Sequence, residues 1–503
     1  MEFFKWILVL LIAAVGLSAL ARRWRMPYPA LLAALGVALV FMPGTPHFMF
    51  EPDLALALFV APVLLDAAYD TSPRDLLGDW LPITGLVIVA VGITTVAVAF
   101  TVRWFVPEMP WSAAIALGAI VAPPDAAAAT AVLKATRPPY RLLKILEGES
   151  LFNDASSLLI YRFAVAIAMG WEFSAGAAAP LLAYALIGSI VAGFLFAQVS
   201  RFTMRRIEDA PTSIVVQFVG VFGVWILAEH IGLSGILTIV VFAIIVARSS
   251  NMPARLRIPS YAVWETMVFV LNALAFVLIG LQLGPIIAGL SAQEQRSYGT
   301  IALAVLAVTI ASRFVWIMGM KLFHQGKGFK SGILMSWCGM RGIVTLAAAL
   351  ALPEGFPQRP LILVVAFTVV IGTLLVQGLT LRPLLALLAL GDDGPVDREA
   401  DLARQAMLQS ALLTIQGDSS AEAAALRVEL AELWRDSPGA TATSDATTRL
   451  AMLRAEANRA SRAELRRLRA SDTIGDDAYH RVEVELDRGD LYSDAVMARS
   501  SPA

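Results

Sequence analysis

Charged residues are scarce in this chain, and cysteine is almost absent. Of the 503 residues, 16% carry a formal charge and 58% are apolar, with a mean hydropathy of +0.71. A soluble domain of this size could not cover its surface with so few polar groups, so the composition predicts a membrane protein and excludes a soluble enzyme. The single cysteine, Cys338, lies in an apolar segment, which excludes an internal disulfide framework and argues against redox or zinc chemistry.

The charges that are present cluster toward the end of the chain. Residues 391–503 hold 35 of the 79 formal charges, 21 acidic and 14 basic, which leaves a net charge of about +6 on residues 1–390 and about −7 on the remainder. We therefore predict a transmembrane domain, 1–390, and a polar tail, 391–503. Neither net charge resembles a nucleic-acid footprint, so no nucleic-acid partner is expected.

The tail begins with a linker at 391–395. Apolar residues then recur at helical spacing and predict four amphipathic helices, at 397–415, 420–436, 445–470 and 476–487. The tail contains no phosphate loop, nucleotide fingerprint or EF-hand motif. It is therefore interpreted as a helical appendage, with no partner that its sequence identifies.

Thirteen segments before the tail are apolar enough to enter a bilayer, whose core takes roughly 20 residues of helix. They lie at 4–21, 28–43, 54–69, 82–104, 111–134, 149–170, 178–200, 213–229, 232–248, 263–288, 299–322, 331–352 and 360–381. Lys and Arg are concentrated in alternate loops, with seventeen in one set and four in the other. Because cytoplasmic loops retain positive charge, the amino terminus is predicted outside and the tail in the cytoplasm. An arginine cluster rather than a cleavage site follows the first segment, which is interpreted as an uncleaved span.

Nine ionisable residues lie in these segments, where each costs roughly 2.5–3.5 kcal/mol and needs a reason. They are Asp66, Asp125, Glu149, Asp154, Arg162, Glu229, Glu265, Arg313 and Arg341. Asp66, Glu229 and Glu265 lie near segment ends and are interpreted as anchors. Arg162 and Arg313 lie deeper, and their roles stay open.

Asp125 follows Pro123 and Pro124 in the middle of the fifth segment. Two prolines break a helix, and the carbonyl groups freed at membrane depth are good ligands for a small hard cation. A proline kink alone is the alternative, but the adjacent carboxylate favours an ion site. The twelfth segment has a matching break, where Arg341 lies between two glycines. Broken helices at matching positions predict two inverted six-helix repeats, with the broken helices crossing at a transport site. Glu149 of the sixth segment is predicted to pair with Arg341, as a structural ion pair.

Asp154 lies one helical turn after Ser150 in the sixth segment, so the two share a face, and Glu149 and Asn153 share the next one. A carboxylate, a hydroxyl, an amide oxygen and the opened backbone near Asp125 would suit Na⁺ or Li⁺, whose ligands are oxygens. Burial disfavours the charged carboxylate and a bound cation favours it, so a cation and a proton compete for Asp154. Alternating exposure of such a site to the two sides would yield exchange without hydrolysis or a cofactor.

The stretch from Glu147 to Asp154, with its Asn153-Asp154 pair, closely resembles the monovalent cation:proton antiporter-1 family, the bacterial relatives of sodium/proton exchangers. The stretches 62–69, 264–265, 272–282 and 339–345 agree with this resemblance, which covers roughly residues 1–390. It is specific as a combination, because each stretch alone would be weak.

The resemblance implies a homodimer in which segments one to three and seven to nine form a scaffold and segments four to six and eleven to thirteen form a mobile core. It also implies that Asp154 binds the ion, that Asp125 is its companion in the unwound crossover, and that Glu149 and Arg341 form a core ion pair. In the family, an Asn before the essential Asp is typical of electroneutral exchangers, so Asn153 implies one cation for one proton. The family usually has Thr where this chain has Pro124, and that hydroxyl ligand is missing here.

We therefore expect a Na⁺ or Li⁺/H⁺ antiporter in the plasma (inner) membrane, working in pH homeostasis by alternating access. K⁺/H⁺ exchange is the nearest alternative, because carbonyl ligands cannot be ranked for ion size from sequence. A cation channel or a cation-sensing signalling protein is the alternative of another class. A channel should show a repeated filter and a sensor an effector domain, and neither is visible in the sequence.

Overall fold

The structure is a computed structural model that describes residues 2–24, 28–40, 54, 56–125, 129–130, 133, 138–171, 175–249, 252–323, 328–391, 394–433 and 444–487. Every regular element among these residues is a helix, which confirms the predicted all-α fold. Residues 126–128, 131–132 and 134 of the fifth predicted segment, the end of the second segment and the end of the second tail helix lie outside the described residues.

The helices of the membrane domain follow one another without intervening strands in the described part of the chain. They are α1 (Glu2–Trp24), α2 (Tyr28–Val40), α3 (Leu56–Tyr69), α4 (Pro73–Gly78), α5 (Trp80–Phe105), α6 (Trp111–Val121), α7 (Tyr140–Ala168), α8 (Ala175–Met204), α9 (Ala210–His230), α10 (Gly235–Ser249), α11 (Ala254–Ala288), α12 (Ala292–Phe323), α13 (Phe329–Trp337), α14 (Ile343–Leu350) and α15 (Arg359–Leu388). Seven of them, α5, α7, α8, α9, α11, α12 and α15, are long and apolar enough to cross a membrane, and five shorter helices are also apolar. The multi-pass character is therefore confirmed, whereas the thirteen crossings and the inverted repeats stay predictions.

Small residues let helices of this bundle approach one another backbone to backbone. A Cβ on Gly36 of α2 would lie 2.2 Å from the carbonyl oxygen of Val277 of α11. A Cβ on Gly118 of α6 would lie 2.3 Å from the carbonyl oxygen of Thr95 of α5. Lipid gives helices no hydrophobic reason to associate, so close packing of this kind supplies the attraction between them. The contact at Gly118 also holds in place the helix whose end forms part of the site.

Two helices stop in the interior of the bundle. The first, α6, ends at Val121, just before Pro123 and Pro124, where missing amide donors and ring sterics prevent a helix from continuing. The second break lies between the end of α13 at Trp337 and the start of α14 at Ile343, and residues 338–342 are not helical. The predicted break in each helix is therefore present, and both breaks are buried.

The tail contains α16 (Pro395–Thr414), α17 (Ala421–Leu433), α18 (Ser444–Ala470) and a helix at 476–487, α19, all close to their predicted positions. The large apolar core lies within residues 10–388, and two small apolar clusters lie within 400–482 and 411–457. The last helix returns to the membrane domain, where its carboxylates contact α7 and α11.

Candidate functional site

The two broken helices meet main chain to main chain. The amide of Asp125, just beyond α6, donates a hydrogen bond to the carbonyl oxygen of Met340, between α13 and α14, at 2.7 Å. Gly342 lies so close to the Asp125 side chain that a Cβ on the glycine would be 1.6 Å from Oδ2. Gly342 also directly precedes the first turn of α14, whose amides carry a partial positive charge. The Asp125 carboxylate thus lies at a helix end that stabilises negative charge.

Arg341 lies at the other side of this crossing, next to the carboxyl end of α6. Its buried guanidinium donates hydrogen bonds to the carbonyl oxygens of Val121 at 2.9 Å and Ala122 at 3.1 Å, and also to that of Gly339. Its own amide donates to Thr373 Oγ1 of α15 at 3.0 Å. The last carbonyl groups of a helix carry partial negative charge and have no partner within that helix. Arg341 therefore caps the broken α6 with its positive charge.

The predicted Glu149–Arg341 ion pair was wrong, because Glu149 pairs with Arg313 of α12. Arg313 Nη2 lies 2.7 Å from Glu149 Oε2, and Nη1 contacts Oε1, so the pair is bidentate. Neither residue is more than 3% exposed. Arg313 Nε also donates to the carbonyl oxygen of Met335 of α13, at 3.2 Å. The pair joins α7 to α12 and α13, and each charge neutralises the other in the bundle interior.

Asn153 links α7 to the opened end of α6. Its Nδ2 donates a hydrogen bond to the carbonyl oxygen of Pro124 at 2.9 Å. Because a carbonyl oxygen only accepts, this contact assigns the nitrogen and the oxygen of the Asn153 amide. Its Oδ1 is buried and has no hydrogen-bond partner among the described residues. A buried carbonyl-type oxygen without a donor is costly, and a cation or a water molecule would satisfy it. The residue is therefore both a structural link and a candidate ligand.

Asp154 follows Asn153 on α7 and differs from the other charged residues of the site in the partners of its carboxylate. The residue is 8% exposed, and its carboxylate has no hydrogen-bond or ion-pair partner in the described part of the chain. The Asp125 carboxylate is close enough to repel it. Ser150, one turn earlier on the same helix, is partly buried. The structure thus brings Asp125, Asn153 and Asp154 together at the crossing, with Ser150 one turn away.

The charges at the crossing are compensated unequally. Asp125 lies at a helix N-terminus, Arg341 binds carbonyl oxygens, and Glu149 has its own arginine. Asp154 has none of these in the described structure. An uncompensated carboxylate in a low-dielectric interior is strongly disfavoured, and it becomes neutral by taking up a proton or by binding a cation. That is the property a proton-coupled cation site requires.

Arg313 is the residue that sequence reasoning left without a role. Its position in the middle of α12 was the available signal, because an arginine at that depth must find a counter-charge. The other open arginine, Arg162, forms an exposed ion pair with Glu229, with Nη2 and Oε2 2.5 Å apart. Glu229 Oε1 also accepts a hydrogen bond from the amide of Gly235 at the turn between α9 and α10, at 2.9 Å. This contact is consistent with an anchoring role for Glu229.

Comparison with known proteins identifies the family of the chain. The family model described as "Sodium/hydrogen exchanger, transmembrane" matches residues 7–387. The chain is 34% identical over 452 residues to the uncharacterised Na⁺/H⁺ exchanger YjcE of Escherichia coli K12, a match covering 83% of this chain and 82% of the relative. It is 31% identical over 455 residues to the sodium, potassium, lithium and rubidium/H⁺ antiporter of Bacillus pumilus, covering 83% of this chain and 66% of that longer protein.

A solved structure shares the fold. The sodium proton antiporter MjNhaP1 of Methanocaldococcus jannaschii superposes with a TM-score of 0.61 at 18% identity, over 75% of this chain and all of that one. The family match spans the whole helical body, including both broken helices and α7 with its Asn153-Asp154 pair. The chain therefore belongs to the sodium/hydrogen exchanger family of the monovalent cation:proton antiporter-1 type, whose members are membrane transporters rather than enzymes.

Proposed function

We propose that the protein exchanges Na⁺ or Li⁺ for protons across the plasma membrane, by exposing Asp154 alternately to the two sides. The observation that carries this proposal is the contrast between two buried carboxylates on α7. Glu149 is held by Arg313, whereas Asp154, five residues later, has no such partner in the described structure. Because only Asp154 needs an external positive charge, a proton and a cation compete for it.

The cation ligands we propose are Asp154, Asp125, Asn153 and Ser150. The free Oδ1 of Asn153 supplies a neutral oxygen beside the two carboxylates, and hydroxyl and main-chain oxygens complete an environment suited to a small hard cation. The carbonyl oxygen of Pro124 is already bonded to Asn153, and its ring carries no hydroxyl. K⁺ is the second candidate cation, because carbonyl and amide oxygens do not by themselves select a cation of one size.

We propose one cation for one proton. The neighbour of Asp154 is a neutral amide, and the remaining site charges have partners of opposite sign or helix ends. A single uncompensated charge is neutralised by one proton in one state and by one monovalent cation in the other. The site therefore carries the same net charge in both states, which makes the exchange electroneutral. We also propose the homodimer, and the orientation with the amino terminus outside, that the family resemblance and the loop charges favour.

The test is transport by purified full-length protein in acid-loaded liposomes that contain a pH-sensitive dye. Na⁺, Li⁺ and K⁺ are added in turn, and dequenching reports proton efflux. We expect dequenching with Na⁺ and Li⁺, and its absence with all three cations would refute the proposal. Asp154→Asn should reduce exchange to the rate of protein-free liposomes while leaving the protein monodisperse.

The matched control is Asp209→Asn, which removes a carboxylate outside the crossing. Asp209 caps the start of α9, where Oδ2 accepts a hydrogen bond from the amide of Thr212 at 2.8 Å. We expect it to exchange at the wild-type rate. Stoichiometry is tested by imposing a membrane potential with a K⁺ gradient and valinomycin during Na⁺ addition. An initial rate that depends on this potential would contradict one-for-one exchange.

A further inference from the structure

The last part of the tail, residues 472–487, forms a strap across the ends of several membrane helices. On α7, Lys144 Nζ lies 2.8 Å from Asp477 Oδ2. On α11, Arg257 Nη1 lies 2.8 Å from Glu483 Oε1, and Nε donates to Asp487 Oδ2 at 2.7 Å. The strap thus supplies carboxylates to two cationic side chains that belong to different helices.

Aromatic and main-chain contacts extend the strap to two further helices, α3 and α4. The ring of His480 stacks on Tyr69 at the end of α3, with centroids 6.1 Å apart, and also meets the ring of Tyr261 of α11 edge-on. On α4, Arg74 Nη1 donates to the carbonyl oxygen of Asp472 at 3.1 Å. Four membrane helices, α3, α4, α7 and α11, therefore contact the sixteen residues of the strap, 472–487.

Two of the membrane-domain partners are buried beneath the strap. Lys144 and Arg257 each have only 8% of the side chain exposed, and Asp487 is fully buried. A buried cation that loses its carboxylates is strongly destabilised, and this applies most to Arg257, because Lys144 also pairs with Glu147 of its own helix, with Nζ and Oε2 3.0 Å apart. Arg257 binds two strap carboxylates, and its other hydrogen bond goes to the main-chain oxygen of Met252. The docked position is therefore specific and is not a chance contact between two polar surfaces.

The strap is linked to the proposed transport site through α7. Lys144 and Asp154 are ten residues apart on this continuous helix, or about 15 Å along its axis. Alternating exposure of Asp154 requires α7 to move relative to some of the helices around it. The strap ties α7 to α3 and α11, so a relative movement of these helices must break or rearrange its ion pairs. Interactions that exist in only one conformation stabilise that conformation, so leaving it costs more free energy.

We propose that the strap, docked as in this structure, slows exchange by holding α7 to α3 and α11 in one conformation. This inference rests on the proposed exchange activity and adds an intramolecular restraint to it. The docked strap covers Lys144 and Arg257, and its release is what permits the faster exchange cycle.

The first test weakens the strap in the full-length protein. The double variant Glu483→Gln with Asp487→Asn removes both carboxylates from Arg257, and Asp477→Asn removes one from Lys144. We expect each to raise the initial rate of Na⁺-driven proton efflux from liposomes about two- to fivefold, because each variant removes only part of the strap's contacts and so lowers the barrier to its release modestly. The matched control is Glu464→Gln with Arg467→Gln, an ion pair within α18 and outside the strap, whose Nε and Oε2 are 2.8 Å apart. It should leave the rate unchanged.

The second test fixes the strap in place and does not depend on how well a weakened variant folds. Cysteines replace Tyr69 and His480 in a Cys338→Ala background, and a short reducible bis-thiosulfonate reagent links them. We expect exchange to fall at least about fivefold on linking and to recover on reduction. Cysteines at Glu464 and Arg467 of α18, linked in the same way, should have no effect.

Exchange that continues unchanged with the strap fully linked would overturn the inference. Release variants that exchange at the wild-type rate, although the cysteine pair shows that the strap has left its site, would overturn it as well. Either result with an active wild-type protein counts against the strap alone. A wild-type protein that exchanges no cation would instead refute the proposed function, and the inference with it.

Discussion

The pairing of Glu149 with Arg313, and not with Arg341, leads to a quantitative prediction about stability. Replacing Arg313 by Met, or Glu149 by Gln, removes one partner of a bidentate pair that is almost completely buried. The charge or polar group left behind has lost the interaction that compensated its burial. Replacing both residues removes the pair together with the need to compensate it.

The expected magnitude follows from the geometry. With Nη2 and Oε2 2.7 Å apart, the charge centres are about 4 Å apart, and at an effective dielectric constant near 20 they attract by about 4 kcal/mol. Removing one partner of a buried pair costs about 3–5 kcal/mol, whereas replacing both with similar-sized uncharged residues is close to neutral. We therefore expect each single variant to lose about 3–5 kcal/mol of unfolding free energy, and the double variant to recover most of it.

The assay is denaturation of the purified protein in detergent, followed by tryptophan fluorescence and analysed as a double-mutant cycle. The exposed pair Arg162–Glu229 is the matched control, since its side chains are 48% and 32% exposed. Exposed pairs contribute about 0–1 kcal/mol, so Arg162→Met should be nearly neutral. A second cycle pairs Glu149→Gln with Arg341→Met. Coupling larger in this second cycle than between Glu149 and Arg313 would refute the reasoning, as would an Arg313→Met variant no less stable than Arg162→Met.

Two further predictions concern the crossing and the strap. Gly342→Ala should lower exchange about tenfold or more, because the added methyl group would displace the Asp125 carboxylate. Gly92→Ala is the control, because no heavy atom lies near its added Cβ, and it should exchange at the wild-type rate. Equal exchange rates of the two variants in liposomes would contradict this prediction. Burial alone would raise the pKa of Glu483, but the His480 imidazole and the Arg257 guanidinium outweigh it and lower that pKa below the usual range of a glutamate. A depressed carboxylate pKa gives stability at higher pH that is lost as pH falls through the folded value. Strap docking should therefore weaken as pH falls below the ordinary glutamate pKa of about 4.3. Hydrogen exchange of residues 476–487 measures this, and protection that stays constant down to about pH 3.5 would contradict it.

Much of the site was predictable because its features are local. Pro123 and Pro124 stop a helix wherever they occur in one, and α6 does end at Val121. The depth of Asp154 in an apolar segment identified it as a charge that needs a reason, whatever lies around it. The crossing of the two broken helices was also predicted, and Asp125 and Met340 now show it as a hydrogen bond between main chains.

The partner of Glu149 was not predictable in the same way. Both Arg313 and Arg341 lie deep in apolar segments, and each had the charge to neutralise a carboxylate. The choice depends on how α7, α12 and the broken helix are rotated and shifted against one another. Arg341 is drawn to the carbonyl oxygens of Val121 and Ala122 by the broken end of α6, which leaves Arg313 for Glu149.

The sequence by itself determined the membrane class, the helical breaks, the polar tail and the central position of Asp154. These follow from the solvation of side chains and from backbone chemistry, which act on neighbouring residues. The tertiary structure alone decided that Glu149 binds Arg313, 164 positions away, and that Glu483 of the tail covers Arg257, 226 positions away. Those choices arise from the packing of helices far apart in the chain, whose relative rotation and depth no local pattern encodes.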